Sequence, residues 1–317
     1  MIYPANFEQK TGFDKIKVSI KNKCVTQSAV NKVDDACFLT DKEAIMQLLR
    51  LASEMKTICM LENSFPADGY VDACKFLPKI KNIGNYLEIN ELIDLKTALN
   101  TVKQIFMFFS GKRKTDYPSL TELVKLVSLM PEVITEIDRI VDRFGKIKDD
   151  ASENLYNIRK EIAEKQAAVN RRMQSVVKQA KNEGIADLQS NVSVRNGRFV
   201  IPVQAVHKRK IKGLVISESA SGKTVFIEPM EVVELNNRIV ELEFEEQREI
   251  IKILIELTGF FNPYYLDILF SCELLVEIDF IRAKAYYAIE TEAGMPIIND
   301  EPQIDLRRAR HPILMKT

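Results

Sequence analysis

Apolar residues recur at helical steps through the first half of the chain. Ile45, Leu48, Leu49, Ala52 and Met55 lie three or four positions apart or side by side, which predicts one amphipathic helix. Thr40-Asp41-Lys42-Glu43 stands in front of it and reads as a capping box, with Thr40 as N-cap and Glu43 three residues on. Leu87, Leu92, Leu95, Leu99, Val102, Ile105 and Phe106 continue the same period. Pro131-Glu132 predicts a further helix start, because proline suits the first turn. The stretch Asp149–Glu183 is different, with no Pro and no Gly. Leu155, Ile158, Ile162, Val169, Met173 and Val176 form a narrow seam among Glu, Lys, Arg, Asn and Gln. That pattern predicts a long helix with a single packing face, ended by Gly184.

The period then switches to two. Val192–Arg195 and Arg198–Val203 flank Asn196-Gly197, a strong signal for a two-residue hairpin. Gly213–Ser217 and Thr224–Glu228 are two more strands. From Glu231 the helical period returns through Val232, Leu235, Ile239, Leu242, Ile250, Ile253 and Leu257, with Gly259 and Pro263 expected to end it. The fold class is therefore mainly α. A helical body (1–148 plus 250–317) is interrupted by an arm (149–249). The arm comprises a long helix at 149–183, a small antiparallel β-sheet at 191–229 and a return helix at 231–258. The two long helices are expected to run antiparallel and bury their seams on each other.

Composition narrows the function classes. The 317 residues hold 45 Lys+Arg and 45 Asp+Glu, which excludes a generally polybasic protein. The balance is uneven along the chain, however. Arg171–Lys223 contains eleven cations and three acids, a net +8, whereas Ile227–Glu249 contains eight Glu and two Arg, a net −6. A basic tip on an arm suits a polyanion, since cations that neutralise phosphates release counterions. The plainer reading is a set of helix charges paired across the arm. Only Phe199 and Phe226 are aromatic in the strands, which favours backbone contact over base stacking.

Other chemistry finds little support. Ser221-Gly222-Lys223-Thr224 resembles the end of a phosphate-binding loop, but the leading Gly would fall at Ser217 and a strand pattern follows instead of a helix. His207 and His311 stand apart, and no CxxC occurs, so no metal or cofactor is expected in this chain. The five cysteines predict free thiols in a reducing cytoplasm. The N-terminus has no secretory pattern, and the apolar runs are too short for a membrane span.

Four segments carry a family resemblance. They are Asn196–Val203, Gly213–Val215, Ser219–Pro229 and Val233–Asn237. Together they resemble a bacterial MutS-family protein of the branch often called MutS-two. Ala309-Arg310-His311-Pro312-Ile313-Leu314 is similar to the segment leading into that family's ATPase domain, and Phe7-Glu8 with Gly12–Ile16 looks like its opening. The resemblance implies a helical lever or core domain with a clamp inserted on two long helices. It implies a homodimer and binding of duplex or branched DNA, or of ribosomal RNA on stalled ribosomes. It also implies ATP hydrolysis, with ATP and Mg in a C-terminal domain often followed by a small nuclease-like domain. No complete Walker motif lies in this sequence, so this chain is expected to be non-catalytic, with no membrane partner. By position and charge, the resemblance points at Arg171, Arg172, Lys178, Lys181, Arg195, Arg198, Lys208, Arg209, Lys210, Lys212 and Lys223 as backbone contacts. The alternative is a coiled-coil-like dimerisation arm that binds no nucleic acid of its own, resting on the narrow seam.

Overall fold

A computed structural model describes residues 6–185, 191–300, 303–307 and 309–316. It is mainly helical with one antiparallel sheet of four strands. The helices are α1 (Phe7–Thr11), α2 (Phe13–Lys21), α3 (Gln27–Asp34), α4 (Lys42–Leu61), α5 (Pro78–Lys81), α6 (Ile89–Phe108), α7 (Arg113–Asp116), α8 (Pro118–Val124), α9 (Pro131–Ile140), α10 (Glu153–Asn182), α11 (Met230–Phe260) and α12 (Tyr265–Glu290). The strands are β1 (Ser193–Arg195), β2 (Arg198–Gln204), β3 (Gly213–Glu218) and β4 (Thr224–Pro229). The chain divides into two compact units, Met1–Asp138 with Leu257–Thr317, and Arg139–Glu256. Among the described residues no helix is long and apolar enough to cross a membrane.

The first unit is organised around α12, which buries apolar side chains over most of its circumference, including Ile268, Leu275, Ile278 and Ile281, and leaves one face with Leu266, Phe270 and Glu273 exposed. A helix apolar over so wide an arc belongs largely inside, and here α4, α6, α3 and α2 pack against it. Met55 and Ile58 of α4 and Leu95, Leu99 and Ile105 of α6 are buried as well. Two opposite charges, Asp279 and Arg282, sit in this core. Asp279 accepts from the backbone N–H groups of Val25 and Thr26 and from the Thr26 hydroxyl, at 2.8–3.2 Å. Arg282 lies 3.7 Å from Asp279, donates to the Ala67 carbonyl and stacks over Tyr70. A buried carboxylate is tolerable only when satisfied in this way.

In the second unit the sheet order is β1-β2-β4-β3, all antiparallel. Ile201 pairs with Ile227 and Val203 with Val225, which sets all four side chains on one face. That face packs on Val169, Met173, Val177 and Ala180 of α10 and on Val232 and Ile239 of α11. The sheet thus covers the second half of the α10 seam, at Val169, Met173 and Val176, and not its first half at Leu155, Ile158 and Ile162.

Several element ends differ from expectation, each for a local reason. Asp41, not Thr40, caps α4, accepting from Glu43 N at 3.0 Å. A carboxylate there caps the helix and also meets its positive end. The long helix begins at Glu153 rather than 149, because Ser152 accepts from Leu155 N and Asp149–Ala151 forms a 3-10 turn. Helix α11 runs past Gly259 to Phe260, and the break comes at Asn262–Tyr264, which contains Pro263. Gly259 is not among the left-handed glycines, so it does not terminate the helix.

Candidate nucleic-acid interface

The site is built on the turns of the sheet and the last turns of α10. Asn196 (φ 50°) and Gly197 (φ 74°) make a tight hairpin between β1 and β2, with both residues left-handed. Residues 205–212 then cross from the end of β2 to the start of β3, skipping over β4. This crossover is held at both ends. Ala205 N donates to the Lys223 carbonyl at 2.9 Å, and Met230 N donates to the Lys212 carbonyl at 3.0 Å. Ile211 tucks against the core of the unit, so its basic neighbours are turned outward. Ser221–Thr224 forms the β3–β4 turn and enters β4 directly.

Seven of the eleven expected cations lie at two places, the crossover and the end of α10. Lys208, Arg209, Lys210 and Lys212 are exposed on the crossover. Lys210, Ile211 and Lys212 line a groove of about 210 Å³ with Gln179, Ala180 and Glu183, so the crossover lies along the end of α10. Lys178 and Lys181 of that end line a second, more open concavity of about 620 Å³ with Asn170, Gln174 and Asn191. The carbonyl end of a helix favours positive charge, which stabilises this gathering of lysines. Lys223 joins the crossover through its bond to Ala205. Among the described residues, no carboxylate pairs with Arg171, Lys178, Lys181, Lys208, Arg209, Lys210, Lys212 or Lys223. Asp187, one of the three acids in the basic stretch, lies outside the described residues.

Arg195 stands apart. Its guanidinium lies 4.5 Å over the Phe226 ring, on the sheet face opposite the core. Arg172 donates to the Glu231 carbonyl at 2.9 Å and so fastens α10 to the start of α11. Arg198 departs most from a free phosphate contact. Its Nη1 donates to both oxygens of Glu228 at 2.9 and 2.8 Å, and its Nη2 donates to Asn237 at 2.8 Å. Asn236 completes the cluster, donating to Glu228 at 2.7 Å and to the Phe199 carbonyl at 3.3 Å. Glu228 is fully buried, whereas the Arg198 side chain keeps 27% exposure. A buried carboxylate with no cation would be costly, so Arg198 is bound to a structural duty.

Much of the acidic stretch is also occupied. Arg159 donates to Glu246 at 2.7 Å, and Arg238 of α11 donates to Glu161 of α10 at 3.0 Å and to Glu245 at 3.0 Å. Glu161 is held below the usual glutamate range by the Arg238 hydrogen bond. The same contacts, with Glu161 first and Glu245 next, push the Arg238 guanidinium up. Glu249 accepts from Asn154 and Ser152, each at 2.8 Å, and the Asn154 bond leads in holding its carboxyl low against the opposing effect of burial. Pairing across the arm, the plainer reading of the charges, therefore accounts for much of the acid but not for the crossover lysines.

Sequence reasoning missed the Glu228–Asn236 cluster. One signal was present: Glu228 follows an inward Ile227 in β4, at a position where a solvated edge or a satisfied burial are equally compatible with the alternation. Position alone does not choose between them.

No family model matches. The chain is 31% identical over 303 residues to Endonuclease MutS2 of Alkaliphilus oremlandii, covering 95% of this chain and 38% of that protein. It is 32% identical over 305 residues to Endonuclease MutS2 of Geobacillus sp., with the same coverage. It is 32% identical over 306 residues to that of Clostridium perfringens, covering 96% of this chain and 38% of the relative. The similarity to proteins named Endonuclease MutS2 thus extends beyond Asn196–Asn237 along nearly the entire sequence. The chain spans 38% of the length of these relatives.

Proposed function

We propose that this MutS2-type region is the non-catalytic core and clamp of a longer MutS-like protein, and that its basic crossover grips a nucleic-acid backbone without reading sequence. In this reading the core comprises 1–148 plus 250–317, and the clamp comprises 149–249. The clamp is an arm of two antiparallel helices carrying the sheet. The hydrogen bonds between α10 and α11 support that arrangement, because partners rise along one helix as they fall along the other: Ser152–Glu249, Arg159–Glu246, Arg172–Glu231. Nucleotide hydrolysis, with ATP and Mg, belongs to a further domain of the longer protein, as does any endonuclease activity of the kind that the relatives' name describes.

The observation that carries the reading is the exposed, unpaired set Lys208, Arg209, Lys210 and Lys212, with Lys178, Lys181 and Lys223 near it. Cations gathered on turns with no carboxylate partner among the described residues suit an external anion. Scarce aromatics suit shape and phosphate contact, as made with duplex or branched DNA or with structured ribosomal RNA. Titrating the chain against a linear duplex, a four-way junction and a structured RNA across a salt series tests this. The slope of log affinity against log salt is about −0.9 per phosphate neutralised on B-DNA. Reversing Lys208, Arg209, Lys210 and Lys212 to Glu removes binding while leaving the helical circular dichroism intact. Unchanged affinity overturns the reading.

A further inference from the structure

A tight turn in the second unit, between α9 and α10, carries chemistry that the basic crossover does not use. Its base is fixed. Val141 and Ile147 are buried and bridge antiparallel, and Asp142 N donates to the Lys146 carbonyl at 2.8 Å. Arg159 of α10 donates to the Ile147 carbonyl at 2.9 Å. Its tip is fixed as well. Asp142 Oδ1 accepts from Phe144 N at 2.8 Å and from Lys146 N at 2.9 Å. Gly145 N donates to the Asp142 carbonyl at 3.1 Å, and Gly145 takes the left-handed backbone (φ 76°) that the turn needs.

Phe144 stands at this tip, 73% exposed, the most exposed aromatic ring among the described residues. The Arg143 guanidinium lies 4.6 Å over one face of the ring and leaves the other face open. Arg143 and Lys146 are themselves exposed, and neither pairs with a carboxylate among the described residues. The acid of the tip, Asp142, is engaged in holding the turn. A single exposed ring is ordinary on a protein surface. A ring held still, backed by a guanidinium and flanked by two cations, offers a flat π face and a phosphate contact together. Nucleobases stack on such a face whatever their sequence, while the cations meet the backbone. A paired base is enclosed by its neighbours in the stack, so the fit is to an unpaired one. Because the turn is already ordered, little conformational freedom is lost on stacking. We propose that the Arg143–Lys146 turn is a finger that stacks one unpaired nucleobase on Phe144. This rests on the reading of the chain as a nucleic-acid binder and adds a second contact of a different kind.

The sequence has no tryptophan, so Phe144→Trp places a single indole reporter at the tip. A short oligothymidylate quenches its emission, and an abasic oligomer of the same length and charge does not. A parallel titration with oligouridylate distinguishes DNA from RNA as the source of the base. Against whichever oligomer quenches, Phe144→Ala weakens the affinity of the chain about tenfold. Phe144→Leu, which keeps an apolar side chain without a ring, weakens it as much. Both variants keep the wild-type affinity for a blunt duplex, and circular dichroism verifies that each is folded. Duplex affinity responds to reversal of the crossover cations and base-dependent quenching responds to Phe144, so the two readings fail separately. No quenching by either base-bearing oligomer, or quenching matched by the abasic one, overturns the proposal. So does a Phe144→Ala chain that binds the quenching oligomer with wild-type affinity.

Discussion

Replacing Arg198 by Met isolates the cost of one buried ion. Glu228 is fully buried and accepts three hydrogen bonds, two from Arg198 and one from Asn236. In Arg198→Met only the Asn236 bond remains, and the methionine stem still fills the space of the arginine stem. Removing one partner of a buried pair costs about 3–5 kcal/mol, and the partial exposure of Arg198 points to the low end, about 3 kcal/mol. That corresponds to roughly a hundredfold faster opening of the sheet. Amide hydrogen exchange followed by mass spectrometry on peptides covering Arg198–Gln204 and Thr224–Pro229 measures it locally, so unfolding of the other unit does not intrude. Replacing Arg198 and Glu228 together by Met returns exchange to within about tenfold of wild type, since an apolar pair of similar volume is often as stable as a buried ion pair. If Arg198→Met leaves exchange in β2 and β4 unchanged, Arg198 is not a structural partner of Glu228 and the reasoning fails.

The other predictions are briefer. Gly213→Ala disrupts the β3–β4 pair, because a Cβ there would sit 2.3 Å from the Glu228 carbonyl oxygen; faster exchange confined to β3 and β4 is the expected result. Asp279→Ala strips the caps from Val25 and Thr26 and leaves Arg282 buried without its carboxylate, costing about 3 kcal/mol by urea titration of the helical signal. Glu161 and Glu249 are held below the ordinary glutamate range, so they stabilise the fold above that range and the benefit is lost as pH falls through their folded values. The urea midpoint of the second unit therefore drops on acidification below the glutamate range, and Asn154→Ala reduces the drop. Burial, then the Asp279 carboxylate, pushes the Cys24 thiol up to about 11, so Cys24 alkylates far more slowly than the exposed Cys37 at neutral pH.

Regular elements were legible because their signals are local. The seam of α10, the Asn196-Gly197 turn and the alternation of β2 and β4 each lie within one short window. Ends were less legible, since Asp41 and Ser152 win their caps by side-chain geometry that neighbouring Thr40 or Asp149 offer equally on paper. The candidate site was legible as a charge total and not as an arrangement. Lys208 and Arg198 contribute the same +1 to that total. One is exposed on a crossover, and the other faces Glu228 thirty positions away. Contacts of that span have no periodicity to reveal them.

The split of the first unit has a consequence for the order in which the chain is made. Helices α2, α3, α4 and α6 pack on α12, which begins only at Tyr265. During synthesis these early helices have no central partner until the last sixth or so of this sequence, from Tyr265 on, is being made. The second unit needs nothing later than α11, since its core runs from Val169 to Ile239. The segment translated in the middle can therefore finish folding first, and the segment translated first must wait with Met55, Ile58, Leu95 and Leu99 uncovered. A chain terminated before Tyr265 would carry a formed insertion on an unfinished host.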